Sequence, residues 1–266
     1  MWKKQKIKMS NFSPLLNVLN KSIRLSGKKI IRDFGEIEKL QSSVRQTEKF
    51  AQLAKSKLEK DLHQILKKIK PDFKIITFDD QRDQDCWIID LIDGSRNFAR
   101  GIDNFSINIS LQENKKIKTN IFYNPIKDET FFFQAGIGGY KNDSRVRVSE
   151  KKLFKESIFS FFSKIHQTRE NEILCNIKKV VKKEKIATRE SGSICSDIGF
   201  LASGKIECLI FITSNINLKN QISLVLSETG GVLNTLDLFS EKIYIASNNY
   251  IGKITKEMIE NNYESK

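Results

Sequence analysis

Residues 87–98 read WIIDLIDGSRNF, an apolar run that ends in two carboxylates three positions apart and a Gly-Ser turn. The bulky apolar residues before Asp90 favour a buried strand. If this strand ends at Asp90, the following turn can return Asp93 to the same side. Both carboxylates could then hold one hard cation, with the Ile92 carbonyl as a further ligand.

The turn that follows the carboxylates, Gly94-Ser95, could offer backbone N–H groups to a phosphate oxygen. Carboxylates beside anion-binding amides indicate Mg²⁺-assisted phosphate chemistry. The same spacing also fits a capped turn that binds no ligand. The residues alone leave both interpretations open.

The composition is that of a globular protein, because 39% of the 266 residues are hydrophobic and disordered chains have far fewer. Lys and Arg together exceed Asp and Glu, for a net charge of +14. This excess fits either a surface for RNA or another acidic partner, or a solvated lysine-rich surface. Only residues 3–8 and 178–185 are densely basic, and neither is interleaved with aromatic residues as a base-stacking surface would be. We therefore favour the solvated surface.

The cysteines and the apolar runs bear on the cellular compartment. Cys86, Cys175, Cys195 and Cys208 form no CxxC pair, so we predict buried free thiols in a reducing compartment. No apolar run approaches the roughly 18 residues that span a bilayer. We expect a cytoplasmic protein without a membrane segment.

The first half of the chain predicts two amphipathic helices followed by a sheet. Ser13-Pro14 is a typical helix start, and apolar residues then recur at helical spacing to about residue 34, although Gly27 interrupts them. A second helix is predicted from Thr47 to Lys70. The predicted strands beyond it are Phe73–Thr77, the motif strand, Ser106–Gln112, Lys116–Tyr123 and Thr130–Gln134, with Arg145–Val148 as a last strand. The three strands Ser106–Gln112, Lys116–Tyr123 and Thr130–Gln134 are typical of an antiparallel meander.

In the second half, strand and helix patterns alternate, which predicts a layered α/β unit. The predicted strands are Ser157–Phe162, Lys185–Thr188, Glu207–Ile212, Val232–Leu236 and Ile243–Ala246, and the predicted helices are Thr168–Lys179, Ser193–Ala202, Gln221–Glu228 and Ile251–Asn261. The change of pattern near Ser149 divides the chain into a basic tail (1–10), an N-terminal part carrying the motif (11–149) and a C-terminal part (150–266).

Four blocks of this sequence resemble the inositol monophosphatase family. Residues 87–98 resemble its signature W-[IV]-[IV]-D-P-[IL]-D-G-T-x-N-F, with Leu91 for Pro and Ser95 for Thr. The other three blocks, residues 121–129, 189–197 and 228–232, follow in the order that the family has. The resemblance implies an α+β fold, a layered α-β-α-β-α sandwich that is usually dimeric. It also implies Mg²⁺-dependent hydrolysis of inositol phosphates or related small phosphate esters, without a covalent phosphoenzyme.

Five positions carry over from the family with suitable residues. The resemblance makes Asp90 a carboxylate that bridges two metals, Ile92 a carbonyl ligand and Asp93 a ligand of the second metal. Gly94 and Ser95 would cradle the phosphate, and the Ser95 hydroxyl would orient the attacking water. Serine retains the hydroxyl and the amide that this role requires.

Other family positions are altered when the chain is aligned without gaps. The first metal-binding Glu falls on Phe78 and the next on Asp79, whose shorter side chain could serve only after a shift. The Asp that helps to deprotonate water falls on Lys55. The sugar-binding Glu falls on Phe211, and the Asp of a Trp-Asp pair falls on Leu218.

These losses predict weak or lost catalysis, with at most one Mg²⁺ site made of Asp79, Asp90, Ile92 and Asp93. A sharper hypothesis is that the Lys55 ammonium takes the place of a missing metal. The alternative function is a non-catalytic regulatory protein on the same scaffold, bound to RNA or to a transcription complex. In either case we expect a homodimer.

Overall fold

The structure is a computed structural model that describes residues 13–39, 44–80, 84–163 and 168–263. The predicted basic tail and part of the acidic segment before the motif lie outside the described residues. The helices are α1 (Pro14–Lys39), α2 (Val44–Ile69), α3 (Ser95–Ala99), α4 (Thr168–Lys183), α5 (Ile194–Ala202), α6 (Ile216–Thr229) and α7 (Asn249–Tyr263).

The strands form two sheets. The first sheet contains β1 (Lys74–Thr77), β2 (Cys86–Asp93), β3 (Ser106–Glu113), β4 (Lys116–Asn124), β5 (Glu129–Gln134), β6 (Gly138–Lys141) and β7 (Ser144–Val146). The second contains β8 (Ile158–Phe162), β9 (Ala187–Arg189), β10 (Cys208–Ile212), β11 (Val232–Leu238) and β12 (Glu241–Ser247).

The two sheets differ in topology. In the first, seven strands lie in sequence order, and only β1 and β2 run parallel while the later neighbours are antiparallel. The second has the order β11-β12-β10-β8-β9, with β10, β8 and β9 parallel and the remaining pairs antiparallel. The predicted meander after the motif is confirmed.

Three hydrophobic cores separate five layers. The outermost core joins α1 and α2 to one face of the first sheet. The central core holds α5 and α6 between the two sheets. The third joins α4 and α7 to the far face of the second sheet. This is the α-β-α-β-α sandwich that the family resemblance implied.

Strand periodicity explains how one sheet serves two cores. In β2, Trp87 and Ile89 face the outer core, whereas Ile88 faces the central core. Successive side chains of a strand point to opposite faces, so a strand covered on both sides needs apolar residues at consecutive positions. The motif strand therefore reads as a continuous apolar run.

The structure also corrects several sequence-based predictions. The strand β6 was not predicted, because its glycines indicated a loop. The helix α6 begins at Ile216 instead of Gln221, and α1 continues to Lys39. Cys86, Cys195 and Cys208 are buried free thiols as predicted, but Cys175 is exposed on α4, so its predicted burial is wrong. None of the helices within the described residues is long and apolar enough to cross a membrane.

The predicted boundary near Ser149 coincides with the change of sheet. The first sheet ends at Val146 and the second begins at Ile158. The central core nevertheless contains residues from both sides of this point. The division into separate parts therefore stays a prediction.

Two glycines of α1 allow a matched test of how closely this helix packs on the sheet. A Cβ at Gly27 would lie 2.5 Å from Cε1 of Tyr123, whereas a Cβ at Gly35 meets nothing within 4 Å. We expect Gly27→Ala to destabilise the protein by about 1–3 kcal/mol through overpacking. Gly35→Ala should stabilise it by about 0.5–1 kcal/mol through helix propensity. Urea unfolding measures both, and equal effects of the two substitutions would contradict close packing at Gly27.

Candidate functional site

The motif carboxylates line a cavity of about 170 Å³ between the first sheet, α2, α5 and α6. We call it the Asp90 cavity. The residues of its wall that bear on function are Lys55, Phe78, Asp79, Asp90, Asp93 and Leu218. Most positions that the family alignment singled out therefore meet around one space. The exceptions, which do not line it, are Ile92, Gly94, Ser95 and Phe211.

A β-bulge places both carboxylates on the same cavity. Asp90 pairs with Asn108 and Asp93 with Ser106, so three steps along β2 match only two along β3. Residues three apart on a regular strand face opposite sides, and the extra residue of the bulge restores the same side. The sequence had predicted a strand ending at Asp90 and a turn returning Asp93, but the strand continues to Asp93.

Asp93 is held by the beginning of α5. Its Oδ2 accepts hydrogen bonds from the Ser193 hydroxyl at 2.5 Å and from the Cys195 backbone N–H at 2.9 Å. Its Oδ1 accepts one from the Ile194 backbone N–H at 3.2 Å. A carboxylate has about four lone-pair sites, so three of them are already used within the protein. Burial nevertheless raises the pKa of Asp93 above its ordinary value.

Asp90 has fewer compensating contacts than Asp93. Burial raises its pKa, and repulsion by Asp93 adds to the rise, whereas Lys55 lowers it. Lys55 is an exposed residue of α2 whose side chain reaches the cavity wall. A cation is therefore electrostatically favoured beside Asp90, and the Lys55 ammonium supplies part of that positive charge.

Asparagines at the start of α6 fix the segment that carries Asp79. Nδ2 of Asn217 donates to the Phe78 carbonyl at 2.9 Å and to the Asp80 carbonyl at 2.6 Å. Nδ2 of Asn215 donates to the Phe78 carbonyl at 3.0 Å and to Oδ1 of Asp79 at 3.2 Å. One Asp79 oxygen is thus engaged, and no prediction from the sequence had included these asparagines.

The first turn of α6 also places Leu218 in the wall of the cavity. The Asn215 side chain caps the helix by accepting from the N–H groups of Asn217 and Leu218. An Asn followed by an apolar helical pattern is a recognisable N-cap, so this signal was present in the sequence. Because the prediction began α6 at Gln221, it missed both the cap and the reason why Leu218 points at Asp90.

The Gly94-Ser95 turn begins the short helix α3. Gly94 has φ +77°, and a Cβ there would lie 2.9 Å from the Asn104 carbonyl oxygen, so only glycine fits. Ser95 is exposed and is not among the residues that line the Asp90 cavity. The roles of Gly94 and Ser95 in phosphate binding stay predictions.

Phe211, which the ungapped alignment placed at a sugar-binding position, does not line the Asp90 cavity. This side chain is fully buried in the central core, where its ring stacks on Tyr244 with centroids 5.1 Å apart. It cannot contact a sugar, because β10 points it between the sheets instead of into the Asp90 cavity. The alignment matched Phe211 by its place in the sequence, which does not determine the side of the strand to which its side chain points.

The donors for a metal ion are few. In the part of the chain that the structure describes, no three Asp, Glu, His or Cys side chains come close enough together to hold a metal. Asp90 and the remaining lone pair of Asp93 suit one hard cation. A second divalent ion would meet Lys55 and Leu218, so the arrangement does not fit two.

A further carboxylate, Asp197, is buried beneath the cavity on α5. Its Oδ1 accepts from the Ser160 hydroxyl at 2.8 Å, and its Oδ2 has no hydrogen-bond partner among the residues that the structure describes. Burial raises the pKa of Asp197 to about 7, against the lowering effect of the Ser160 hydroxyl. This carboxyl links α5 to β8 and titrates near neutral pH.

Comparison with known proteins shows the family and the fold. The inositol monophosphatase family model matches residues 11–259. An inositol-1-monophosphatase of Rhizobium meliloti is 29% identical over 202 residues, which cover 73% of this chain and 75% of that protein. Nus factor SuhB of Haemophilus influenzae is 25% identical over 255 residues, which cover 93% of this chain and 95% of that protein. The crystal structure of extragenic suppressor protein suhB from Bartonella henselae matches with a TM-score of 0.77 and 25% identity, over 93% of this chain and 100% of that one.

The buried carboxyl on α5 predicts a pH-dependent stability. Its folded pKa of about 7 lies above the ordinary value of 3.8. Its stabilising contribution is therefore complete below about pH 4 and is lost as the pH rises through 7. Asp197→Asn keeps the acceptor for Ser160 without the charge, so at pH 8 it should be about 2–4 kcal/mol more stable than the unsubstituted protein.

Urea unfolding between pH 4 and pH 8 measures this difference. The exposed Asp237 provides the control, since Asp237→Asn removes the same formal charge at the surface. A pH-independent difference for Asp197→Asn would contradict the prediction.

Proposed function

Because the chain belongs to the inositol monophosphatase family, we propose that it binds a small phosphate ester at the Asp90 cavity but hydrolyses it weakly or not at all. One observation carries this proposal: Lys55 and Leu218 line the same cavity as Asp90 and Asp93. The carboxylates of the family motif are retained there, and the positions that would complete a two-metal site are not.

Lys55 opposes the chemistry in two ways. An ammonium cannot accept the proton of an attacking water, which is the role of the carboxylate that the family has at this position. It also repels a nearby divalent cation. The Coulomb energy of this repulsion is on the order of several kcal/mol at an effective dielectric constant of about 20. The same ammonium can pair with a phosphate oxygen, so binding is retained where hydrolysis is impaired.

Leu218 removes an oxygen ligand from the opposite wall of the cavity. It is 2% exposed and belongs to the central core. The neighbouring Asn217 offers no anionic oxygen, and its Nδ2 is engaged with the Phe78 and Asp80 carbonyls. A metal on this side would lack an anionic ligand, and loss of one ligand from a two-metal centre lowers activity strongly.

One Mg²⁺ would be held by Asp90, the Ile92 carbonyl and Asp93, with Asp79 as a further candidate ligand. When bound, it would polarise the phosphate and lower the pKa of a coordinated water. The chain's own contribution is to orient the ester through Gly94 and Ser95 and to balance its charge with Lys55. Without a carboxylate in place of Lys55, no general base accompanies that water.

A second candidate function is regulatory, and one observation favours it. Nus factor SuhB of Haemophilus influenzae matches 93% of this chain, and the net charge of +14 suits a partner that carries RNA. In this case the fold would serve as a binding scaffold, as a homodimer in the cytoplasm, and the altered Asp90 cavity would have no catalytic role.

Phosphate release distinguishes the two candidates. With inositol phosphates and sugar phosphates at varied Mg²⁺, we expect turnover at least about 100-fold below that of an intact family enzyme, and Asp93→Asn should abolish what remains. Turnover that equals the intact enzyme would refute the proposal. Salt-sensitive RNA retention without any ester binding would favour the scaffold instead.

Restoring the two lost carboxylates tests why the site is impaired. In Lys55→Asp/Leu218→Asp, we expect Mg²⁺ to raise the melting temperature by several degrees, because binding to the folded state stabilises it. The matched control is Lys57→Asp/Ser223→Asp. It makes the same change of net charge at exposed positions of the same two helices. A melting temperature of the Lys55/Leu218 variant that Mg²⁺ leaves unchanged, or that rises equally in the control, would refute this explanation.

A further inference from the structure

The outward side of α1 carries apolar side chains that no other element of the described residues covers. Val18 is 47% exposed, Leu25 52% and Ile31 42%. Val18 and Leu25 lie seven residues apart and share one side of the helix, whereas Ile31 lies about 120° around the helix from Leu25. The opposite side of α1 supplies the outer core. The helix α1 therefore carries exposed apolar residues outside the face that it packs against the sheet.

These three residues line a groove of about 740 Å³ between α1 and the turn from β4 to β5. The opposite wall of this space, which we call the α1 groove, consists of Tyr123, Pro125 and Asp128. The lining residues of α1 extend from Asn17 to Ile31, which at 1.5 Å per residue is about 21 Å of helix. The length and the concave shape match a second helix of about four turns lying alongside α1.

The far wall of the α1 groove is fixed by a network around Arg24. The Arg24 guanidinium forms an ion pair with Asp128 and lies over the Tyr123 ring, 5.2 Å from its centroid. The Tyr123 hydroxyl donates to Asp128 at 2.9 Å, and Nε of Arg24 donates to Asn20 at 3.1 Å. Because these side chains hold one another, the groove is formed before any partner binds. The charge of Arg24 is also neutralised.

The uncompensated charge at the α1 groove belongs to Lys21 and Lys28. Both are exposed, and neither has an ion-pair partner among the described residues. They lie seven residues apart, which is two turns or about 10 Å along the helix axis. The groove thus combines an apolar floor with two positive charges at a helical repeat.

We infer that the α1 groove binds an amphipathic helix of a partner protein, with leucine-like residues toward Val18 and Leu25 and acidic residues toward Lys21 and Lys28. Burial of the apolar residues would supply the affinity, and the spaced acidic residues would set the register and direction. The groove shares no lining residue with the Asp90 cavity, so this inference does not depend on the proposed function.

Other occupants fit the α1 groove less well. Residues 1–12 contain four lysines and no acidic residue, so this segment would place like charges beside Lys21 and Lys28. A second copy of the chain, docked symmetrically through α1, would also bring these lysines toward one another. Single-stranded RNA needs open aromatic faces for stacking, whereas Arg24 covers the ring of Tyr123.

A charge-swap experiment tests the inference on the full chain. The probe is a fluorescein-labelled, monomeric helical peptide of about five turns with one leucine stripe flanked by glutamates, and the comparison peptide has lysines in place of the glutamates. By fluorescence anisotropy, the acidic peptide should bind at least about tenfold more tightly than the basic one. In Lys21→Glu/Lys28→Glu the preference should reverse, and Leu25→Asn should weaken both peptides.

The matched control is Lys155→Glu/Lys182→Glu, which makes the same change of net charge at exposed positions outside the groove. This variant should retain the preference for the acidic peptide. Equal weakening in both double variants would overturn the inference, as would no binding of the acidic peptide up to about 1 mM. Binding of an RNA oligonucleotide or of anionic vesicles that depends on Lys21 and Lys28, without peptide binding, would also overturn it.

Discussion

The structure depends on the contact between the Asp93 carboxylate and the first turn of α5. Three donors converge on this carboxylate, the Ser193 hydroxyl and the N–H groups of Ile194 and Cys195. The N–H groups of a first helical turn have no partner within the helix, and a carboxylate at that end also meets the positive end of the helix dipole. The contact ties the first sheet to the helix layer between the sheets, across about 100 residues of sequence.

This contact also limits what the site can bind. The Asp93 carboxylate accepts three hydrogen bonds from the start of α5, so it has little capacity left for a metal. A cation in the cavity would therefore interact mainly with the nearby Asp90. The ammonium group of Lys55, on α2, lies at the wall of the cavity and supplies part of the positive charge that Asp90 favours. The positive charge of Lys55 and the donors at the start of α5 thus both offset the negative charge of the two motif carboxylates.

The two candidate binding surfaces lie on different parts of the sandwich. The Asp90 cavity is formed where β2, α5 and α6 meet, and most of its wall consists of residues that also stabilise the fold. The α1 groove is formed by an outer helix and a turn, and its exposed residues Val18, Leu25 and Ile31 lie outside the buried cores. Leu218 belongs to both the cavity wall and the central core, so the side chain at this position contributes to the stability of the fold as well as to the chemistry of the cavity.

The sequence by itself determined the fold class, the order of most elements and the motif, since these follow from local periodicity, capping residues and a family signature that are all properties of contiguous residues. It also led to the prediction that Lys55, Asp79 and Leu218 stand at altered family positions. Only the tertiary structure decided which side chains share a cavity. The bulge between Asp90 and Asp93 turns both to one side, β10 turns Phe211 away, and Ser193 and Asn215 reach their partners across distant segments. Those directions depend on register and packing between strands and helices far apart in the chain, which spacing along a sequence does not specify.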